Sequence, residues 1–198
     1  MSDYLGTPAG AMPASAIHQT PLRIVGLDLS LTATGVATIR GAALSTRTIR
    51  SKGKAADGLL ARALRLHNLS LDVLSWAALG DIVVIEQPAY GQTGGSHHDR
   101  SGLWWLVMDG LTDDSTDERF AEVTPQAVKM YATGKGNASK SEVLAAVIKR
   151  YPAADVANDN EADALVLAAI GARLVGQPIE DSLPAANLRA MDKVRWAA

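Results

Sequence analysis

The chain has 198 residues, 47% of them apolar, and a formal charge of -2 at pH 7, the composition of one globular domain with its own core. It contains no cysteine, which excludes disulfides, thiolate metal sites and cysteine nucleophiles and suits a reducing cytoplasm, where the chain is expected. No apolar run approaches the roughly 18 residues of a membrane span, so no membrane partner is expected.

Residues 1–21, MSDYLGTPAGAMPASAIHQTP, are rich in small residues, Pro and Gly and lack the basic start and apolar run of a secretory signal. They are expected to form a disordered leader. LRIVGLDLS then reads as a buried strand that ends in Asp28, and TATGVATIR and ALSTRTIR follow as two more strands of a meander, turning at Gly41. Over residues 56–78, the apolar positions Leu60, Leu64, His67, Leu71, Leu74 and Ala78 recur at helical spacing and predict the first long helix. DIVVIEQP is an uninterrupted apolar strand, stopping at Glu86 and Pro88.

A glycine-rich loop, AYGQTGGSHHDRSG, leads to a helix in LWWLVMDGL, with one of Trp104 and Trp105 expected in the core and the other at an interface between copies. RFAEVTP predicts another strand, after which Thr124 and Pro125 open a short helix up to Tyr131. Ser139 and Glu142 have capping-box spacing for a helix that Pro152 ends, and a last long helix starts near Asn158, with Glu161 at the position of a cap partner. The tail from residue 177 reads as an extension, irregular until a short helix in LRAMDKVRW. The order β-β-β-α-β-α-β-α predicts an α/β fold, a mixed sheet of about five strands, the first three antiparallel, flanked by helices.

Charge is unevenly spread. Residues 40–54 hold Arg40, Arg47, Arg50, Lys52 and Lys54 with no acid, and residues 123–150 hold five cations against Glu142 alone. Such runs are either solvated faces or contacts for a nucleic-acid backbone. Asp28 and Glu86 each end an apolar strand, where open α/β sheets place their ligands, and Asp163 sits in the first turns of an otherwise Ala/Leu/Val helix. A carboxylate in such a place is costly to desolvate unless a cation meets it. Three oxygen ligands suit Mg²⁺ or Mn²⁺ better than zinc, and two such ions would serve phosphodiester hydrolysis. A fourth group is open between Asp159, one turn before Asp163, and Asn160, which offers a neutral oxygen. His97 and His98 lie in a glycine-rich setting that favours solvent or phosphate over metal.

GLDLSLTATG, IVVIEQP, VTPQAVKMYATGKGNASKSEV and NEADALVLA, in that order, resemble RuvC-type Holliday junction resolvases, particularly the divergent forms of bacteriophages and prophages. The resemblance spans residues 22–175 and implies a nuclease domain over residues 22–176 with a ribonuclease H-like fold. It further implies a homodimer, Mg²⁺ or Mn²⁺ as cofactor, and cleavage of four-way or other branched DNA. On this resemblance Asp28, Glu86 and Asp163 match the family's acids, and the family's acid or histidine three residues before the last falls on Asn160. Lys129 and Lys140 match its two functional lysines; the basic runs, not the resemblance, add Lys135, Arg47, Arg50 and Lys52 as candidate DNA contacts. The aromatic residue that stacks on a junction base falls on Ala89, which leaves the adjacent Tyr90 for that role.

Two other readings stand beside this one. Ser30, Thr32, Thr34 and Gly35 also suit the first phosphate loop of an ATP-binding phosphotransferase of the actin and sugar-kinase type, although such proteins need two copies of the fold. A branched-DNA-binding protein without catalysis is the other.

Overall fold

The computed structural model describes residues 20–88, 96–112 and 119–196; the expected leader, except for Thr20 and Pro21, and Ala89 and Tyr90 lie outside the described residues. Three antiparallel strands come first, β1 (Arg23–Asp28), β2 (Ala33–Arg40) and β3 (Ala43–Arg50), followed by α1 (Leu59–Ala77) and β4 (Ile82–Glu86). Then come α2 (His97–Leu111), β5 (Phe120–Val123), α3 (Pro125–Thr133), α4 (Lys140–Arg150), α5 (Asp159–Leu174), the single-turn α6 (Ala185–Leu188) and β6 (Val194–Trp196). The sheet order is β3-β2-β1-β4-β5-β6, with β1, β4 and β5 parallel and the other pairings antiparallel. The fold is the expected α/β mixed sheet flanked by helices.

Strand alternation sorts the core onto two faces. Ile24, Ala37, Ile39, Val84 and Val123 pack under α3, α4 and α5, whereas Val25, Leu27, Val36, Ile85 and Phe120 pack under α1 and α2. The most deeply buried helix is α5, in which every residue from Ala164 to Ala172 is buried. It lies against β1 and β2 at two glycines: a Cβ at Gly26 would stand 2.1 Å from the Ala164 carbonyl oxygen, and one at Gly35 2.0 Å from that of Asn160. Only residues without a side chain allow this approach, and it brings the first turns of α5 down onto the end of β1.

Caps foreseen from spacing are in place. Thr124 accepts from the Ala127 N–H, and Ser139 and Glu142 form a reciprocal box. Asn158 accepts from the Glu161 N–H, while the Glu161 carboxylate reaches back to the Ala157 N–H and across to Thr46 and Thr48 of β3. Glu161 therefore ties the edge strand to the start of α5, beyond the capping role expected of it.

The structure sharpens four of these readings. The sheet has six strands, not about five, because Val194–Trp196 pairs with β5; the helix expected there is instead α6, a 3-10 turn and this strand, since three residues take strand form only through a partner. The segment after residue 177 is bound to the same core: Glu180 accepts from the hydroxyls of Tyr131 and Tyr151 and from Arg173. Only part of the apolar stripe read for α1 is covered: Leu60, Leu64 and Leu71 are exposed and Leu74 packs inward, while Leu69, Val73 and Ala77 meet the sheet. Leucines occur on both stripes, and contact with α2, where Gly110 makes room for Leu74, decides between them. Finally, α2 begins at His97 rather than after Gly102, its first turn anchored by an ion pair between Arg62 and Asp99.

Candidate functional site

Leu27 pairs with Ile85 across the parallel β1 and β4, so Asp28 and Glu86 end these strands at the same level. Both follow residues that face α1 and α2, so their own side chains take the opposite face, toward α5. The close seating of α5 at Gly35 carries Asn160 and Asp163 to the same place. Asp28, Glu86, Asn160 and Asp163 line one cavity of about 410 Å³, with Lys129 of α3, Lys140 of α4 and Arg100 of α2 around them. Caps position both lysine-bearing helices: Thr124 and Pro125 start α3 one residue after β5, and Ser139 fixes the first turn of α4, where Lys140 is the first residue.

Electrostatics mark the three acids as a coupled group. Burial pushes the Asp28 carboxyl from 3.8 up to about 7, reinforced by Asp163. Burial likewise raises Glu86 to about 8, with Asp28 and Asp163 adding to it, and raises Asp163 to about 6 against the opposing pull of Lys140. Such shifts gather where sites do chemistry. Asp159 behaves differently: its carboxylate accepts from Lys140 Nζ at 2.8 Å, and that bond holds it below the usual carboxylate range.

The donor set is all oxygen, the chemistry of hard cations such as Mg²⁺ and Mn²⁺, and the repelling carboxylates in one cavity fit a divalent ion. They are not gathered into a ready-made cluster: among the described residues no three His, Cys, Asp or Glu side chains are arranged to grip one ion. A larger cavity of about 690 Å³, lined among others by Pro21, Leu44, Tyr151 and Ile179, contains no acid and offers no such chemistry.

No protein-family model matches the chain, and no curated protein matches its sequence. Solved structures do share its architecture. A Thermus thermophilus RuvC structure aligns with a TM-score of 0.55 and 21% identity over 79% of this chain and 98% of that one. T. thermophilus RuvC in complex with Holliday junction substrate aligns with a TM-score of 0.53 and 16% identity over 79% and 97%. This chain has the RuvC fold.

Within the RuvC fold the expected residues divide into those that the cavity gathers and those that it does not. Asp28, Glu86, Asp163, Asn160, Lys129 and Lys140 line it; Asp159 stands beside it, bound to Lys140. Lys135 is exposed in the loop before α4, outside the lining. Arg47, Arg50 and Lys52 are exposed on and just after the edge strand β3, with Arg47 stacked 4.2 Å over the Trp76 ring. His97 and His98 open α2 with their rings 3.9 Å apart and do not reach the cavity. Trp104 turns inward, its indole N–H donating to the Glu86 carbonyl at 3.2 Å, whereas Trp105 is 67% exposed.

Arg100 was not anticipated. Its place in the HHDRSG run carries no spacing signal, and only the early start of α2 brings it to the cavity. Arg65 was missed for a similar reason: it braces the loop after Asp28 by donating to the Leu31 carbonyl and to Ser51 Oγ. The turn that resembled a phosphate loop is otherwise engaged. Thr34 is buried with its hydroxyl on the Ser30 carbonyl, and Gly35 is covered by Asn160. Among the described residues no helix is long and apolar enough to cross a membrane.

Proposed function

We propose that this protein is a divalent-metal-dependent endonuclease that resolves four-way or other branched DNA by phosphodiester hydrolysis, acting as a homodimer in the cytoplasm. The observation that carries the reading is the cavity in which Asp28, Glu86 and Asp163 meet Lys129 and Lys140 at the carboxyl end of the sheet. Similarity to a RuvC structure that holds a Holliday junction supports branched DNA as the substrate.

Asp28, Glu86 and Asp163, with Asn160 or Asp159 as a further oxygen, would hold Mg²⁺ or Mn²⁺. Held there, the metal would supply positive charge for the attacking and leaving oxygens of the displacement, two ions serving both at once. Lys140 and Lys129 bring positive charge to the same cavity and meet the non-bridging oxygens of the phosphate, where charge builds in the transition state. Pro125, Val128 and Val143 form the apolar part of the wall around the acids. The basic stretch Arg47, Arg50 and Lys52, together with Lys135, contacts backbone phosphates away from the cut, and Tyr90 is assigned to base stacking. Two symmetric cuts require two sites, and the exposed Trp105, Leu60 and Leu64 of α1 and α2 supply apolar surface for a second copy.

The test is incubation with a labelled mobile four-way junction, a linear duplex and an RNA·DNA hybrid, each with and without Mg²⁺. Paired nicks on the junction alone, and only with Mg²⁺, are expected. Equal cutting of the hybrid or the linear duplex contradicts the substrate assignment, and an intact but uncut junction complex favours a binding protein without catalysis.

A further inference from the structure

Asp159 stands at the acid cavity without lining it, and its carboxylate is committed to Lys140. The bond joins the first residue of α4 to the first residue of α5, and each helix end is fixed independently, by the Ser139–Glu142 box and by the Asn158 cap. The two side chains are 69% and 35% exposed, and a pair that open to water adds at most about 1 kcal/mol to folding. Stabilising the fold does not account for it.

What the bond does decide is where the ammonium sits. Lys140 also interacts with Asp163, Asp28 and Glu86, all in the cavity. Released from Asp159, the flexible four-carbon stem lets the ammonium swing inward to them. There it would neutralise the carboxylates that a divalent ion requires.

We propose that Asp159 is a positioning residue that tethers Lys140 at the rim of the cavity, so that the ammonium faces a substrate phosphate without taking the place of the divalent cation. This rests on the reading of the cavity as a metal-dependent nuclease site. It removes Asp159 from the set of ligands and leaves Asn160, which lines the cavity, as the neutral oxygen beside Asp163. The sequence alone left the two residues equal; the 2.8 Å bond separates them.

The experiment is calorimetric titration of the full chain with Mn²⁺, without DNA, for the wild type, Asp159→Asn, Lys140→Met and the double variant. Asp159→Asn is expected to weaken Mn²⁺ binding about tenfold. Lys140→Met should bind at least as tightly as the wild type, and the double variant should return to within about twofold of Lys140→Met, because the intruding charge is gone. A loss that persists undiminished in the double variant makes Asp159 a ligand and overturns the tether. Equal affinity of wild type and Asp159→Asn overturns it too. A wild type that binds no Mn²⁺ overturns the metal-dependent reading and the tether with it, a failure visible before any variant is compared.

Discussion

Replacing Asp28 by Asn should stabilise the metal-free protein at alkaline pH and leave it unchanged in acid. Burial raises the Asp28 carboxyl from 3.8 to about 7, so the folded state binds this proton more tightly than the unfolded chain does. The associated stability is fully present below the unfolded value and is lost as pH rises through the folded one. At about 1.4 kcal/mol per tenfold change in proton affinity, the shift amounts to about 4 kcal/mol once Asp28 is ionised. Water reaching the open side of the cavity reduces this to about 2 kcal/mol. Asn keeps the shape and removes the charge that Glu86 feels. Urea unfolding followed by tryptophan fluorescence in excess chelator should therefore show Asp28→Asn more stable by about 2 kcal/mol near pH 8.5 and equal to wild type near pH 3, below the unfolded value. Adding Mn²⁺ at the higher pH should reverse the order, because only the wild type gains binding energy. A variant that is less stable than wild type at both pH values, or equally stabilised at both, refutes the argument that the acids are strained by burial and mutual repulsion.

Three further outcomes follow from the same geometry. Gly35→Ala places a Cβ 2.0 Å from the Asn160 carbonyl, so α5 must shift; thermal melts should show a loss of about 2 to 3 kcal/mol, with nuclease activity falling more than the folded fraction does. Glu161→Ala strips the partners of Thr46, Thr48, Asn158 and the Ala157 N–H and should cost about 3 kcal/mol in chemical denaturation. Burial alone would raise the Glu161 carboxyl, but these bonds outweigh it and hold the group below its usual range, so its contribution is lost as pH falls through that lowered value. Changing Arg47, Arg50 and Lys52 together to Gln should weaken junction binding and flatten its salt dependence by up to about three in log-log slope, measured in Ca²⁺ to prevent cutting; an unchanged slope removes β3 from the DNA path.

How far the sequence reveals this molecule depends on how local each signal is. Asp28 and Glu86 stand out because an apolar run that stops at an acid is visible residue by residue, and the caps at Thr124, Ser139 and Asn158 depend on neighbours within a turn. The inward face of α1 does not, because leucines occupy two stripes and only the glycine-lined contact with α2 selects between them. β6 is invisible alone, since its three residues become a strand only beside β5. The same holds within the site. Asp163 could be read from its apolar helix, but that Asp159 turns outward to Lys140 depends on two helix ends 19 residues apart meeting at the cavity rim. Arg100 enters only because α2 starts early. Glycines 26 and 35 bound the motif GLDLSLTATG, but nothing in it shows that they set how near α5 comes to β1 and β2.

The most direct test of the central claim compares wild type and Asp28→Asn on one labelled four-way junction, scoring binding in Ca²⁺ and cutting in Mg²⁺ in parallel. The account predicts equal binding of the junction over linear duplex by both proteins, paired nicks by the wild type, and an intact junction with Asp28→Asn. Equal cutting by the variant would contradict it.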